Sequence, residues 1–487
     1  MSNRKQKNRR RKKSRFTAPG ILVSVIMAVI HLLFLITLLR ARLLPVKILL
    51  PVCLVILVIL ALEIFLVANH KNKTRFRAGF ILSLIMTVIL VLGGLYLSRG
   101  IQALSNITSS EQVDRVDVYV LQEDPAQELS DAADYTFGVF QSPDYDHIEE
   151  TVTHINEELD TEINVISYRK LTDMIDALMD EEIDAVITRD GYLGLLDETK
   201  GYETARAQMR SIYHVEFRNE TDHKKDWDGN TFTVYISGID TYGNVSAKSR
   251  SDVNILATIN PDTHQVLLVS TPRDFYVPLS ISNGVPDKLT HAGIYGVEVS
   301  MDTIGMLYDM DVDYFFRVNF SGFEDIINSL GGITVHSDYS FSAGGYNFQA
   351  GENTLDGGAA LMFARERHSF SEGDRQRGRN QMAIIQAVMQ KAMSPDILKN
   401  YHSLLDAVEG NFQTSIPYGM IATLVRDQLS SGSDWNIVSY SVNGTGGSEV
   451  PYSMSTKQYV MYPNQTTVDT AKEMIKKVYN GEPVSQP

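Results

Sequence analysis

Residues 249–274 read SRSDVNILATINPDTHQVLLVSTPRD, and this stretch decides how the C-terminal half folds. Val253–Ile259 and Gln265–Thr271 are apolar runs of strand length. Between them, Asn260-Pro261-Asp262-Thr263-His264 is a connection of turn-forming residues, so the two runs read as consecutive strands. Asp252 leads into the first strand and Arg273 follows the second. Working outward, Phe232–Ser237 is a preceding strand, and its extension Gly238-Ile239-Asp240 places an acid at the tip. Tyr314–Asn319 and Ile333–His336 read as further strands. Residues 292–308, Phe323–Leu330, 356–366 and 379–393 read as helices, with two more near 416–429 and 467–479. Gly331-Gly332 ends the helix before it, because glycine tolerates the left-handed cap geometry. Together these elements define a domain over 231–482, with 483–487 as a tail.

A smaller region precedes it at 113–218. Asp114–Leu121, Tyr135–Phe140, Ile163–Tyr168 and Ile183–Thr188 have strand character. Asp144–Leu159 has helical spacing, with Ile148, Val152, Ile155 and Leu159 on one face, and Leu171–Met179 is a second helix. Strand and helix alternate, which implies a small α/β accessory domain. Its acids fall mainly on solvated helix faces, and no phosphate loop or metal cluster is legible in it. Residues 100–112 and 219–230 are polar linkers.

The net charge of -15 conceals an asymmetry. Residues 1–100 hold 17 Lys/Arg and one acid, Glu63, while the remaining residues are strongly acidic. Segments 20–39, 48–68 and 79–97, within the region 20–99, are each long and apolar enough to span a bilayer. A cleavable signal peptide is the competing reading of the first, but no A-x-A-like site precedes the second segment. Glu63 is an acid within a span, placed to reach water or a neighbouring helix. The basic N-terminus, residues 1–19, and the loop with Lys71, Lys73, Arg75 and Arg77 outweigh the loop with Arg40, Arg42 and Lys47. The positive-inside rule then puts the N-terminus in the cytoplasm and residues 100–487 outside. Cys53, within the second span, is the sole cysteine, so the outer part has no disulfides. An acidic outer domain without a helix-turn-helix pattern argues against nucleic-acid binding.

Asp240 and Asp252, at the rim of adjacent strands, could share a hard cation such as Mg²⁺; ordinary turn acids are the alternative. Five arginines within residues 365–379 concentrate positive charge in an acidic region. Guanidinium forks match phosphate oxygens and stay charged when partly buried. The alternative is a solvated basic face paired with Glu366, Glu372 and Asp374. Arginines with a bridging metal are what a pyrophosphate requires, and this domain offers candidates for both.

The ordered motifs SGID (237–240), RSD (250–252), STPRDFYV (270–277), NSLGGITV (328–335), LDGGAALMFARER (355–367) and GDRQRGRNQ (373–381) resemble the LytR-CpsA-Psr family over about residues 230–482. Three spans and an accessory domain resemble its capsular CpsA branch. The sequence departs from the common pattern in reading TPRD for SIPRD and GRNQ where a second Gln is usual; neither change removes a charged position.

The resemblance implies an α/β domain with a mainly antiparallel central sheet flanked by helices and a tunnel for a polyprenyl chain. It implies Mg²⁺ on Asp240 and Asp252, and pyrophosphate contacts from Arg250, Arg273, Arg365, Arg367, Arg377 and Gln381. Asp374 matches a further acidic position; either it or a metal-bound acid would take the acceptor's proton. The implied activity is an extracytoplasmic phosphotransferase that moves capsule-type polysaccharide from a polyprenyl-pyrophosphate carrier to peptidoglycan, with capsule-synthesis proteins as partners. Hydrolysis of the same lipid, or lipid sensing without turnover, would use the same residues.

The loop charges make a direct prediction. In a Cys53→Ala background, a cysteine at Ser130 should react with a membrane-impermeant maleimide on intact cells, and one at Lys73 should not. The reverse labelling pattern would invert the topology.

Overall fold

The computed structural model describes residues 18–68, 72–107, 111–141, 146–220, 225, 227–239, 245–246, 248–371, 373–392 and 412–486. The chain forms two compact units, one of residues 1–104 with 418–432 and one of residues 105–417 with 433–487.

The first unit contains the helices Ala18–Ala41, Val46–Val67 and Lys73–Ile107. All three are long and apolar enough to cross a membrane, and the third candidate span covers Lys73–Gln102. That helix runs through much of the segment expected to be a polar linker. Leu22, Leu33, Leu54, Phe65 and Leu92 are exposed on the helix surfaces, as suits side chains whose solvent is lipid. Small residues let the helices meet closely: a Cβ on Gly20 would lie 2.5 Å from the Val67 carbonyl oxygen. Glu63 turns inward rather than towards water. It is buried, and its carboxylate lies 3.7 Å from His31 Nε2 on the neighbouring helix.

The second unit holds two sheets. The smaller sheet is ordered Asn164–Tyr168, Thr136–Phe140, Ala185–Arg189, Glu111–Leu121, Met209–Glu220. Its first three strands are parallel, and the last two run antiparallel to their neighbours. Met209–Glu220 is a long edge strand that the sequence reading had missed. Tyr213, Val215 and Phe217 alternate with His214, Glu216 and Arg218, the period of a half-buried strand, although the charged positions keep the segment from forming an apolar run. Val116, Val118, Phe137, Val139, Ile148, Ile155 and Ile187 form the core on one face.

The larger sheet is ordered Phe412–Thr414, Tyr314–Val318, Phe232–Ile239, Ser251–Asn260, Gln265–Ser270, Asn436–Ser441. Three of its five pairings are antiparallel, so the sheet is mixed and mainly antiparallel. Every residue of Gln265–Ser270 is buried, because layers cover both faces. Helices Val297–Tyr308 and Gln465–Tyr479 share one core with Leu256, Leu267 and Val269. Helices Gly357–Arg365 and Asp374–Ala392 form a second core around Phe363 and Ile384. Gly331 and Gly332 do adopt positive φ, 75° and 81°, after helix Phe320–Ser329.

The segment read as one helix, 292–308, breaks in two at Gly296, where φ is 130°. The short first piece packs directly on the chain that leads into Ser251–Asn260. A Cβ on Gly293 would stand 2.4 Å from the Ser249 carbonyl oxygen and 2.9 Å from the Ser251 nitrogen. Gly293→Ala should therefore displace that chain and destabilise the protein by about 1–3 kcal/mol, measurable by urea unfolding of the detergent-solubilised chain.

Candidate functional site

The strands Phe232–Ile239 and Gln265–Ser270 end at the same edge of the larger sheet at which the antiparallel Ser251–Asn260 begins. Asn436–Ser441, parallel to Gln265–Ser270, ends there too. A cleft of about 170 Å³ opens at this edge. Its lining includes Asp252, Ser270, Thr271, Arg273, Arg375, Arg377, Arg379, Gln381 and Asn443. Among the described residues, four arginines and a single acid line it, within an otherwise acidic unit. The first turn of helix Asp374–Ala392 faces the strand ends closely, since a Cβ on Gly378 would lie 3.3 Å from Ser270 Oγ.

Asp252 is the pivot. Nη1 of Arg273 donates to both of its carboxylate oxygens, at 2.9 and 2.8 Å, and the Thr290 hydroxyl donates to Oδ1 at 3.1 Å. Burial opposes its ionisation, but Arg273, Arg250 and Arg377 outweigh it and hold the carboxyl below the usual range. Asp252 is thus a carboxylate at neutral pH, with hard oxygen donors facing the cleft's cations.

Arg250 is buried and donates to Glu198 at 3.0 Å. The other end of the Arg273 guanidinium, Nη2, lies 3.4 Å from the same Glu198 oxygen. Lys288 donates to the second oxygen of Glu198 at 2.5 Å, and its Nζ lies 2.8 Å from Asp274. Burial of Glu198 opposes ionisation, yet Lys288 and Arg273 prevail and hold its carboxyl down to about 2. Glu198 comes from the small α/β region, whose acids had been read as mainly solvated. Glu198, Lys288 and Thr290 were all missed, because each stands in a stretch without local pattern.

Arg377 and Gln381 line the cleft. Arg375 and Arg379 join them, although only their concentration of charge marked them in the sequence. Arg379 donates to Gln376, which donates to Asn380, which in turn donates to the Phe363 carbonyl. This chain ties the arginine helix to helix Gly357–Arg365. Arg365 and Arg367 do not line the cleft. Both are exposed, and Arg365 lies over the Phe320 ring at 4.4 Å. Gln381 reaches back to the Ala364 carbonyl at 3.4 Å, so these two arginines border the cleft's supporting helix. Asp374 opens its helix, and its side chain lies outside the described residues, as does Asp240 entirely.

The fold and cleft define an α/β domain with an arginine-lined cleft, preceded along the chain by three helices apolar enough to cross a membrane. The family model described as the LytR_cpsA_psr family matches residues 197–477, and the chain belongs to that family. It is 33% identical over 235 residues to a polyisoprenyl-teichoic acid–peptidoglycan teichoic acid transferase TagU of Enterococcus faecalis, covering 48% of this chain and 73% of the relative. The TagU of Bacillus subtilis is 34% identical, with 46% of this chain and 71% of the relative covered. Among solved structures, B. subtilis TagV matches 53% of this chain and 100% of its own, at 25% identity and a TM-score of 0.45.

The geometry around Arg273 makes one prediction. Two acids grip opposite nitrogens of a single planar fork, which an ammonium cannot reproduce. Arg273→Lys should weaken binding of inorganic pyrophosphate by about tenfold or more, read by isothermal titration. Unchanged affinity would remove Arg273 from the phosphate site.

Proposed function

We propose that this chain is a membrane-anchored transferase that moves a glycopolymer from a polyprenyl-pyrophosphate carrier to peptidoglycan, outside the cytoplasmic membrane. The observation that carries the reading is the convergence of Asp252 with Arg273, Arg375, Arg377 and Arg379 on one cleft at the sheet edge. Phosphoryl transfer needs positioning and charge stabilisation more than covalent chemistry from the protein. Fixed guanidinium groups supply both, orienting the pyrophosphate oxygens and stabilising charge on the leaving lipid phosphate. The transferase names of the relatives support the reaction class, and the loop charges support the outside location.

Mg²⁺ belongs to the proposal. Asp252 is a hard oxygen donor held ionised, and Oδ2 retains a lone pair beyond those engaged by Arg273 and Thr290. Asp252, together with Asp240, would hold the ion, which when bound would neutralise phosphate oxygens. Arg250 helps hold Asp252 ionised, and Arg365 and Arg367 are assigned pyrophosphate contacts on the family resemblance.

The donor polymer in this reading is a capsule-type polysaccharide, supported by the three spans ahead of an accessory domain. The relatives are named for teichoic acid, so a teichoic acid donor is the contrasting outcome. The test is reconstitution of the full chain with lipid-pyrophosphate glycan and peptidoglycan oligomers. Mass spectrometry should find a new phosphodiester on peptidoglycan; released phosphate alone would make the protein a pyrophosphatase. Asp252→Ala and Arg365→Ala should each abolish wall-linked polymer while leaving a folded protein, and chelation of divalent cations should do the same to the wild type. Wild-type levels of linked polymer in both variants would overturn the site assignment.

A further inference from the structure

We propose that Glu198 of the small domain is a positioning residue of the phosphate site, which holds Arg250, Arg273 and Lys288 converged so that the small domain completes the site. The inference rests on the proposed reading of the cleft as a pyrophosphate site. Glu198 is absent from the cleft lining, yet one of its oxygens meets both Arg250 and Arg273 and the other meets Lys288. Arg273 is therefore held between Asp252 in the cleft and Glu198 outside it.

Stability does not explain such a cluster. Buried ion pairs pay desolvation for each charge, and apolar replacements are often as stable. What the cluster does achieve is convergence. Two guanidinium groups and an ammonium repel one another, and a shared carboxylate lets them stand together before any phosphate arrives. Charge fixed in advance needs no reorganisation during the reaction.

The base that carries Glu198 is packed into both domains. Tyr192, Leu193, Leu195 and Leu196 are buried in a core shared with Leu279, Ile294 and Tyr295 of the larger domain. The small domain grips the approach to Arg250 a second time. Asp114 accepts from Lys248 at 3.2 Å, pairs with Arg189 at 2.7 Å and lies 2.6 Å from His147 Nδ1, and the Val113 amide donates to the Ser246 carbonyl. Burial opposes ionisation of Asp114, but Arg189 and Lys248 keep it a carboxylate.

The test uses the full chain, with kcat and KM measured for a lipid-pyrophosphate glycan donor. Glu198→Gln should lower kcat by about 10²-fold through misplaced cations, with KM changed by less than about threefold. Glu198→Asp should fall between, because it keeps the charge with a shorter reach. Leu196→Ala, which loosens the same base without touching the charges, should lower the melting temperature with little loss of kcat. Wild-type kcat in Glu198→Gln, or a loss no greater than its loss of folded protein, overturns the inference. If Glu198→Gln does not fold, Lys288→Gln carries the test, with the same fall in kcat expected and an unchanged kcat decisive against it. A wild type that neither transfers nor binds pyrophosphate would instead sink the functional reading, and this inference with it.

Discussion

Charge removed from water must find opposite charge, and at one edge of the larger sheet this requirement organises the surroundings. Asp252, Asp274 and Glu198 stand among Arg250, Arg273 and Lys288, so three acids face three bases in a largely dehydrated space. A shift of any one of the six weakens the pairing of at least one other. The strands that bring them together are held by an apolar sandwich, in which Gln265–Ser270 is buried along its whole length. The sandwich supplies rigidity and the ion network uses it. Guanidinium groups aimed by a network of this kind are suited to a substrate whose charge cannot be buried unpaired.

The same requirement explains why the small domain is more than an appendage. A separately folded module tethered by a polar linker would share few buried contacts with its neighbour. Here Leu193 and Leu196 continue into Leu279 and Ile294, and Asp114 and Glu198 reach across to Lys248 and Arg250. Gly293 fits against the Ser249 carbonyl because it has no side chain to hold the chains apart. The approach to Asp252 is thus braced by apolar contact, hydrogen bonding and charge at once.

Much of this was legible along the chain. The spans were readable because bilayer thickness sets a length and an apolar composition that few other segments meet. The strands at 249–274 were readable from two short apolar runs around a turn. Asp252, Arg273, Arg377 and Gln381 were readable because each lies within a compact motif that shares its spacing with a family. The edge strand Met209–Glu220 carries a legible alternation at Tyr213–Arg218 but no apolar run, and only the sheet shows its full length. The break at Gly296 was not legible, since apolar spacing continues across it and only the backbone shows its φ of 130°.

The sequence by itself therefore determined the apolar spans, the α/β class and the kinds of residue gathered in the cleft, because these depend on local composition and short-range order. Tertiary structure alone decided which charges meet. It brought Arg375 and Arg379 into the cleft, and delivered Glu198 to Arg250 from 52 residues away. The physical reason is that an ion pair depends on distance in space and on exclusion of water, and neither is written in the spacing of residues along a chain.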